Sequence, residues 1–301
     1  MKSNNLALLG LLALLWGPSF LFIKIAVEQI PPLTLVAIRL GLAAVFLYLV
    51  LKISGRSLPR GWSEWKKFVV MGFFANALPF VLFSFGEQFA DSGAASILNG
   101  TTPIFTVLLA HYFIEDERLT ANRFIGVMIG FLGILLIFAP DLARLVNGQA
   151  LESTAAVIGL LAFIVASICY GFAIVYGRKR LRGLPPLVGP AAQLICAAAM
   201  VLPLSLLVDR PFTLTPGLPA LLSAGALGLF GTAFAYLVYY RLVDQAGATF
   251  ISLVTYLLPP IGVVLGILVL AEQPGVYALV GMGVIIGGVM IVNRVERKKP
   301  A

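Results

Sequence analysis

Charge is scarce in this chain, and its shortage excludes ordinary soluble architectures. Only 11% of the 301 residues are Asp, Glu, Lys or Arg, whereas 60% are apolar and the mean hydropathy is +1.01. A soluble domain of this length would still need a charged surface. We therefore expect an integral membrane protein whose exterior faces lipid.

Histidine and cysteine are also nearly absent. His111 is the single histidine, and the two cysteines, Cys169 and Cys196, have neither paired nor metal-like spacing. Membrane-embedded hydrolases and acyltransferases need a positioned acid–base or nucleophilic set. We therefore expect no enzymatic activity, no metal and no cofactor, and the cysteines predict no disulfide.

The apolar residues form ten runs, each about 20 residues long, which is enough for a helix to cross roughly 30 Å of hydrocarbon. The runs are residues 6–27, 33–53, 66–86, 92–113, 121–140, 154–177, 186–208, 217–240, 247–271 and 275–293. Gly and Pro recur inside them, as is common in membrane helices. The pattern predicts an all-α integral membrane protein with ten transmembrane helices.

The basic residues predict the direction in which each helix crosses. With a cytoplasmic N-terminus, the outer connections hold only Arg144 and Arg210. The cytoplasmic segments hold Lys2, Lys52, Arg56, Arg60, Lys66, Lys67, Arg118, Arg123, Arg178, Lys179, Arg180, Arg182, Arg241, Arg294, Arg297, Lys298 and Lys299. This bias predicts that both termini are cytoplasmic. It also accounts for the net charge of +8, so the expected partner is membrane lipid and not nucleic acid.

The second half of the chain repeats the first at an offset of 154 to 157 residues. The matched positions include Trp16 and Tyr170, Pro31–Pro32 and Pro185–Pro186, Pro103 and Pro259, and Glu117 and Glu272. Such a repeat predicts two structural halves, residues 1–148 and 149–301. Since each half holds five helices, an odd number, the second half must enter the membrane from the opposite face. Inverted repeats are a transporter architecture with a substrate site near the midplane.

Several of these residues carry a family resemblance. They are Trp16–Gly17, Phe20, Lys24, Pro31, Arg39, Pro103 and Glu117, together with the glycine-rich fifth and tenth helices. The pattern resembles the EamA family of the drug/metabolite transporter superfamily, and within it the YddG-type exporters of aromatic amino acids. This resemblance implies ten helices in two inverted five-helix repeats and export across a bacterial inner membrane. The second half departs from the pattern because it has Gln193 in place of Arg39.

Aromatic and small polar residues of both halves are candidates for the substrate site. Trp16 lies near the middle of its helix, away from the interface where amphipathic rings usually settle. The candidate aromatic wall is Trp16, Phe20, Tyr170, Tyr236, Tyr239 and Tyr256, and the candidate hydrogen-bonding groups are Asn76, Asn99, Thr102, Thr232 and Ser252. A mostly apolar cavity with a few polar groups suits an amino acid. Ordinary packing is the alternative for each aromatic residue taken singly.

Lys24 and Arg39 are cations inside apolar runs, toward the outer ends of the first two helices. Three roles are open for them: a gate at the outer mouth, direct contact with a substrate carboxylate, or snorkelling of the long side chains to lipid headgroups. Glu28, four residues after Lys24, is the expected ion-pair partner on the same helix face.

Proline-interrupted helices in corresponding positions point to the binding site of repeat transporters. Gly100 and Pro103 in "LNGTTP" predict a break in the fourth helix, and Pro259 in "TYLLPP" marks its counterpart. Pro103 and Pro259 are therefore candidate gating residues, with static kinks as the alternative. His111 is a further candidate because its pKa is ordinarily close to neutrality.

Acidic residues avoid the helix midpoints, which bears on the driving force. Glu28, Glu87, Asp91, Glu115, Asp116, Glu117 and Glu272 all fall at predicted helix ends. This favours facilitated efflux over proton coupling, since antiport needs a titratable group in the pathway. The sequence thus predicts an inner-membrane amino-acid exporter, monomeric or dimeric. Organic-cation efflux, a lipid flippase and a membrane enzyme are the alternatives.

Overall fold

The computed structural model describes residues 3–114, 120–147, 150–181, 187–246 and 254–294, and these ranges contain no strand. Eight of their helices are long and apolar enough to cross a membrane, and two shorter apolar helices follow. The protein is therefore an all-α, multi-span membrane protein of about ten helices, as the sequence predicts.

The spans are numbered here in chain order with the bounds of their helices. Span 1 is Ser3–Trp16 and Ser19–Val27; span 2, Pro32–Ile53; span 3, Trp62–Gly72, the π-helical Phe73–Ala77 and Leu78–Gly86; span 4, Ser92–Asn99 and Thr102–Phe113; span 5, Ala121–Val146. Span 6 is Ala150–Arg180; span 7, Val188–Leu204 and the π-helical Ser205–Asp209; span 8, Leu218–Gly228, the π-helical Leu229–Phe234 and Ala235–Ala246; span 9, Val254–Leu270; span 10, Val276–Arg294.

Two spans of the first half are interrupted. Span 1 breaks at Gly17 and Pro18, where proline cannot donate a helical hydrogen bond. Span 4 breaks at Gly100 and Thr101, as predicted, and Pro103 lies in the first turn of the helix that follows.

Span 9, the counterpart of span 4 in the second half, lacks the corresponding break in its described helix. Its helix runs from Val254 to Leu270 through both Pro259 and Pro260, so the expected interruption is absent from this range. Neighbouring groups allow a membrane helix to tolerate the lost hydrogen bonds. Pro259 packs against the broken segment of span 4, since a Cβ on Gly100 would lie 3.0 Å from its Cγ.

Spans 3 and 8 each contain a π-helical segment at corresponding positions, Phe73–Ala77 and Leu229–Phe234. A π-helical turn adds a residue and changes the face that its side chains present, and such turns are frequent at functional sites. Asn76 and Thr232 lie in these two segments, and both are fully buried.

Close backbone contacts bring the two halves together. A Cβ on Gly72 of span 3 would lie 2.6 Å from the Gln193 carbonyl oxygen of span 7. In the second half, a Cβ on Gly228 of span 8 would lie 3.2 Å from the Arg39 carbonyl oxygen of span 2. Small residues allow helices to approach closely in membranes, and here they draw spans 2, 3, 7 and 8 around one centre.

One end of the bundle is joined by hydrogen bonds between the halves, and we call it the capped end. The Thr34 amide of span 2 donates to Asp209 Oδ2 at the end of span 7 at 2.7 Å, and the Ser92 amide of span 4 donates to Glu272 Oε1 after span 9 at 2.8 Å. Each carboxylate thus caps a helix N-terminus, where free amides and the helix dipole favour a negative charge. The first turns of spans 2 and 4 therefore lie against the C-terminal ends of spans 7 and 9.

Candidate functional site

Arg39 lies in the interior, where it contacts both halves of the chain. Its side chain is only 6% exposed, Nε donates to Thr232 Oγ1 at 2.9 Å, and the guanidinium lies 3.7 Å from the centroid of the Phe80 ring. The Thr232 hydroxyl donates in turn to the Leu227 carbonyl at 2.9 Å, which fixes its orientation. Arg39 is therefore a buried cation, and the possibility that it snorkels to the lipid surface is wrong.

Arg39 has an unusual shortage of partners for a buried charge. Within the described residues it forms no ion pair, and its hydrogen bond to Thr232 is the one that its guanidinium makes. Burial of a charge is costly unless the charge is paired and hydrogen-bonded. Its remaining N–H groups can therefore serve a ligand, and a planar guanidinium suits a carboxylate.

Two buried amides meet at Tyr236, which lies within electrostatic range of Arg39. Asn76 Nδ2 donates to the Tyr236 hydroxyl at 2.6 Å, and Gln193 approaches the same hydroxyl. Asn76 Oδ1 and Gln193 Oε1 are buried acceptors that have no hydrogen-bond partner within the described ranges. We define the central cluster as Arg39, Asn76, Phe80, Gln193, Thr232 and Tyr236. It therefore offers a cationic donor and two unused neutral acceptors.

Three of the predicted substrate residues, Asn76, Thr232 and Tyr236, belong to the central cluster. Tyr170 lies within electrostatic range of Arg39 and Tyr236. Phe80 and Gln193 were missed as site residues, although Gln193 is the position that matches Arg39. That matching was the one sequence signal that could have found it.

The other predicted aromatics extend outward from the centre. Phe83, another residue that sequence reasoning missed, lies 5.5 Å from Phe20 and 6.1 Å from Tyr170 between ring centroids. Trp16 packs on Tyr239 at 5.7 Å. Tyr240 links this pair to the cluster, because it lies 5.2 Å from Tyr239 and 6.3 Å from Tyr236.

Asn99 and Thr102 have a local structural use. The Thr102 hydroxyl donates to the Asn99 carbonyl at 2.8 Å, while the hydroxyls of Thr101 and Ser167 donate to Leu98 at 2.6 Å and 3.0 Å. These hydroxyl groups supplement the backbone hydrogen bonds at the break in span 4, where the Leu98 carbonyl also accepts from the Thr101 amide at 3.1 Å. Both predicted residues therefore stabilise the break.

The remaining candidates lie elsewhere or cannot be placed. His111 lies in the last turn of span 4, with its ring 5.1 Å from that of Tyr112. Ser252 and the side chain of Tyr256 lie outside the described residues.

Lys24 does not use the partner expected from its helix. Its Nζ donates to the carbonyl oxygens of Glu87 and Ala90 at 2.7 Å and 2.9 Å, whereas Glu28 is exposed. The predicted Lys24–Glu28 ion pair is therefore wrong. Carbonyls near a helix C-terminus attract a cation, because they carry the negative end of the helix dipole.

Glu87 is the main residue that the sequence analysis undervalued. It follows the last helix of span 3, yet its side chain is 0% exposed, and neither carboxylate oxygen has a hydrogen-bond partner among the described residues. Burial raises the pKa of this carboxyl well above its ordinary value, and the nearby positive charge of Lys24 opposes that shift. A position at a helix end therefore did not mean exposure to water.

In comparison with known protein families, the chain matches the EamA-like transporter family over residues 5–139 and again over residues 157–294. The chain is 26% identical over 284 residues to the uncharacterized inner membrane transporter YedA of Escherichia coli, covering 94% of this chain and 88% of YedA. It is 28% identical over 284 residues to a probable terminal-alkyne amino-acid exporter of Streptantibioticus cattleyicolor, covering 93% of this chain and 90% of the exporter. A crystal structure with 18% identity has the same fold, with a TM-score of 0.67 over 99% of this chain and 100% of the other.

Proposed function

Because the chain belongs to the EamA-like transporter family, we propose that it exports amino acids, aromatic and hydrophobic ones above all, by alternating access. The chain is a transporter and not an enzyme. We place it in a bacterial inner membrane with both termini cytoplasmic, and we propose that a monomer holds the complete site. The relative described as an amino-acid exporter supports this substrate class.

The buried Arg39 guanidinium is the observation that carries this proposal. An amino acid is a zwitterion, and the central cluster has complementary groups for both of its charges. The substrate carboxylate binds the free N–H groups of Arg39, and its ammonium group donates to Asn76 Oδ1 and Gln193 Oε1. An aromatic side chain then packs beside Phe80, Tyr170 and Tyr236.

The arrangement of the halves supports alternating access. Spans 2 and 7 correspond in the repeat, and the first turn of span 2 lies against the C-terminal end of span 7. Spans 4 and 9 meet in the same antiparallel way. These contacts fit two inverted five-span halves, residues 1–148 and 149–301. Opening toward the capped end must break the hydrogen bonds of Asp209 and Glu272, whereas opening toward the other end can leave them intact.

Organic-cation efflux is the second candidate, and Glu87 is the observation that favours it. A buried carboxylate could hold a lipophilic cation. The Lys24 ammonium lies beside Glu87, however, and would repel such a substrate. This charge pattern is better suited to a zwitterion than to a cation.

Counterflow in proteoliposomes tests the proposed substrate. We expect vesicles containing the purified chain and loaded with phenylalanine to take up labelled phenylalanine, and phenylalanine amide to compete at least about tenfold less well because it lacks the carboxylate. Protein-free vesicles are the control. Uptake of tetraphenylphosphonium without uptake of any aromatic or aliphatic amino acid would contradict the proposal and favour organic-cation efflux.

A further inference from the structure

We propose that Glu87 is a proton-binding site that couples export to proton entry, an inference that rests on the function proposed above. Its side chain is completely buried, and both carboxylate oxygens lack hydrogen-bond partners within the described residues. An ionised carboxylate in such a place loses its hydration without replacement, so binding a proton relieves the cost. Facilitated efflux, which the sequence favoured, needs no such group.

Charged groups reach Glu87 from three neighbouring elements. Lys24 faces it from span 1, Arg39 from span 2 and Glu272 from the connection between spans 9 and 10. The two cations favour the ionised form of Glu87, whereas Glu272 disfavours it. Glu272 is itself held by the Ser92 amide and hydroxyl, each at 2.8 Å. The carboxyl is thus balanced between a charged and a neutral form by groups of both halves.

Among the described residues, the other surroundings of Glu87 are uncharged or lie in solvent. Span 6 meets the end of span 3 at Gly86, where it presents the Gly159 carbonyl and the Phe163 ring. Asp91, in the same connection as Glu87, is exposed. The protonation of Glu87 therefore depends chiefly on the charges of Lys24, Arg39 and Glu272.

Lys24 can couple the protonation of Glu87 to a movement of the helix that carries Lys24. Its Nζ binds the Glu87 and Ala90 carbonyl oxygens in this structure. Loss of the proton creates a carboxylate that competes for the same ammonium group, and return of the proton releases it. Lys24 lies in helix Ser19–Val27, directly after the break at Gly17 and Pro18. The break supplies a hinge about which this half-helix can turn.

The transport cycle then balances one proton against one substrate. The Glu87 carboxylate binds a proton from water on the side of the capped end, and the carboxyl returns it to water on the opposite side after the pathway switches. The exported amino acid moves in the other direction. Arg39 lies near both Glu87 and the proposed substrate position, so charge on either ligand affects the other.

Transport under an imposed pH gradient tests this coupling. We expect vesicles with an acidic lumen and a clamped membrane potential to accumulate labelled phenylalanine, by about tenfold per pH unit if one proton exchanges for one substrate. Glu87→Gln removes the titratable group. It should abolish this accumulation yet retain counterflow, because exchange of substrate for substrate needs no net proton movement.

Glu28→Gln is the matched control, because Glu28 is exposed and lies one helical turn from Lys24. It should accumulate phenylalanine as the wild type does. Counterflow in the wild type with no response to the pH gradient, or equal accumulation by Glu87→Gln, would overturn the coupling and leave the exporter function intact. Accumulation driven by a sodium gradient alone would overturn the proton as the coupling ion.

An infrared measurement separates this inference from the export function. The pH-difference spectrum of the purified wild type should contain the carbonyl band of a buried protonated carboxyl, and Glu87→Gln should lose that band. If Glu87→Gln proves unstable, Glu87→Asp replaces it in this measurement. Glu87→Asp retains the titratable group and should shift the band without removing it. Absence of the band from the wild type overturns the inference whether or not any amino acid is transported. Failure of phenylalanine counterflow with the band present would count against the export function alone.

Discussion

The two halves of the molecule contribute matched positions but unequal charge to its centre. The first half supplies Arg39 from span 2, whereas the second supplies the neutral Gln193 from span 7. Asn76 and Thr232 occupy corresponding π-helical segments and are both fully buried. The π-helical segments of the two halves therefore match, whereas among the described residues the buried cation of the central cluster comes from the first half.

The two halves also differ in where their helices are broken. Span 4 is interrupted at Gly100 and Thr101, whereas span 9 is a continuous helix through Pro259. Span 1 is also broken, at Gly17 and Pro18. The described part of the first half thus contains Lys24, Arg39 and Glu87 together with both of these helix breaks. The buried cation and the breaks are thus concentrated in the first half, while Gln193, Thr232 and Tyr236 of the second half complete the central cluster.

Exchange of Arg39 and Gln193 should have the largest effect. Arg39→Gln removes the proposed charge-assisted contact to the substrate carboxylate, worth about 1.5–3 kcal/mol, so the phenylalanine Kd should rise about 10–100-fold. Gln193→Arg in the same chain should restore only part of the affinity if the halves are inequivalent. Competition binding in detergent measures both.

Arg39→Lys is the control for charge without the planar donor geometry, and it should bind with intermediate affinity. An unchanged Kd for Arg39→Gln would remove Arg39 from the substrate site. Full recovery in the exchanged variant would instead show that the two halves are interchangeable.

Removal of the caps should have a smaller effect, on stability. Glu272 accepts from the Ser92 amide, the Ser92 hydroxyl and the Gly93 amide, whereas Asp209 accepts from the Thr34 amide and hydroxyl. Each alanine variant leaves first-turn amides without a carboxylate and should cost about 1–3 kcal/mol, with Glu272→Ala the greater loss.

Thermal unfolding in one detergent compares the two cap variants with Glu28→Ala, whose carboxylate is exposed. We expect the order Glu272→Ala, Asp209→Ala, then Glu28→Ala, from the lowest midpoint to the highest. Equal midpoints for all three would mean that the caps add no stability to the capped end.

The positions of the spans were predictable because a membrane helix needs a long apolar run, which is a local property of the sequence. The break at Gly100 was predictable for a similar reason, since glycine and a following proline weaken the helix locally. The continuous helix around Pro259 was not, because its stability depends on packing against span 4. The π-helical segments likewise have no periodicity that distinguishes them from α-helix.

The site was predictable only in part, because its contacts join residues far apart in the chain. Asn76, Thr232 and Tyr236 were found as polar or aromatic residues within apolar runs. Arg39 was found but placed too near the surface, since a long cation near a helix end is equally consistent with snorkelling. The burial of Glu87 depends on spans 1, 2 and 6 and on Glu272, so no local pattern could indicate it.

Trp16 and Tyr170 provide the smallest test of the inequality between the halves, because they occupy matched positions and have different neighbours. The Trp16 ring packs on Tyr239 at 5.7 Å, and such a pair contributes about 0.5–1.5 kcal/mol beyond simple burial. Trp16→Ala should therefore lower phenylalanine flux about 2–10-fold while the amount of inserted protein stays the same. Tyr170→Ala should lower flux further, since Tyr170 lies within electrostatic range of Arg39. Trp16→Phe keeps an aromatic ring and should retain most of the flux. A loss of flux in Trp16→Phe as large as that in Trp16→Ala would assign the effect to the indole itself. Unchanged flux in Trp16→Ala would leave Trp16 as a packing residue alone.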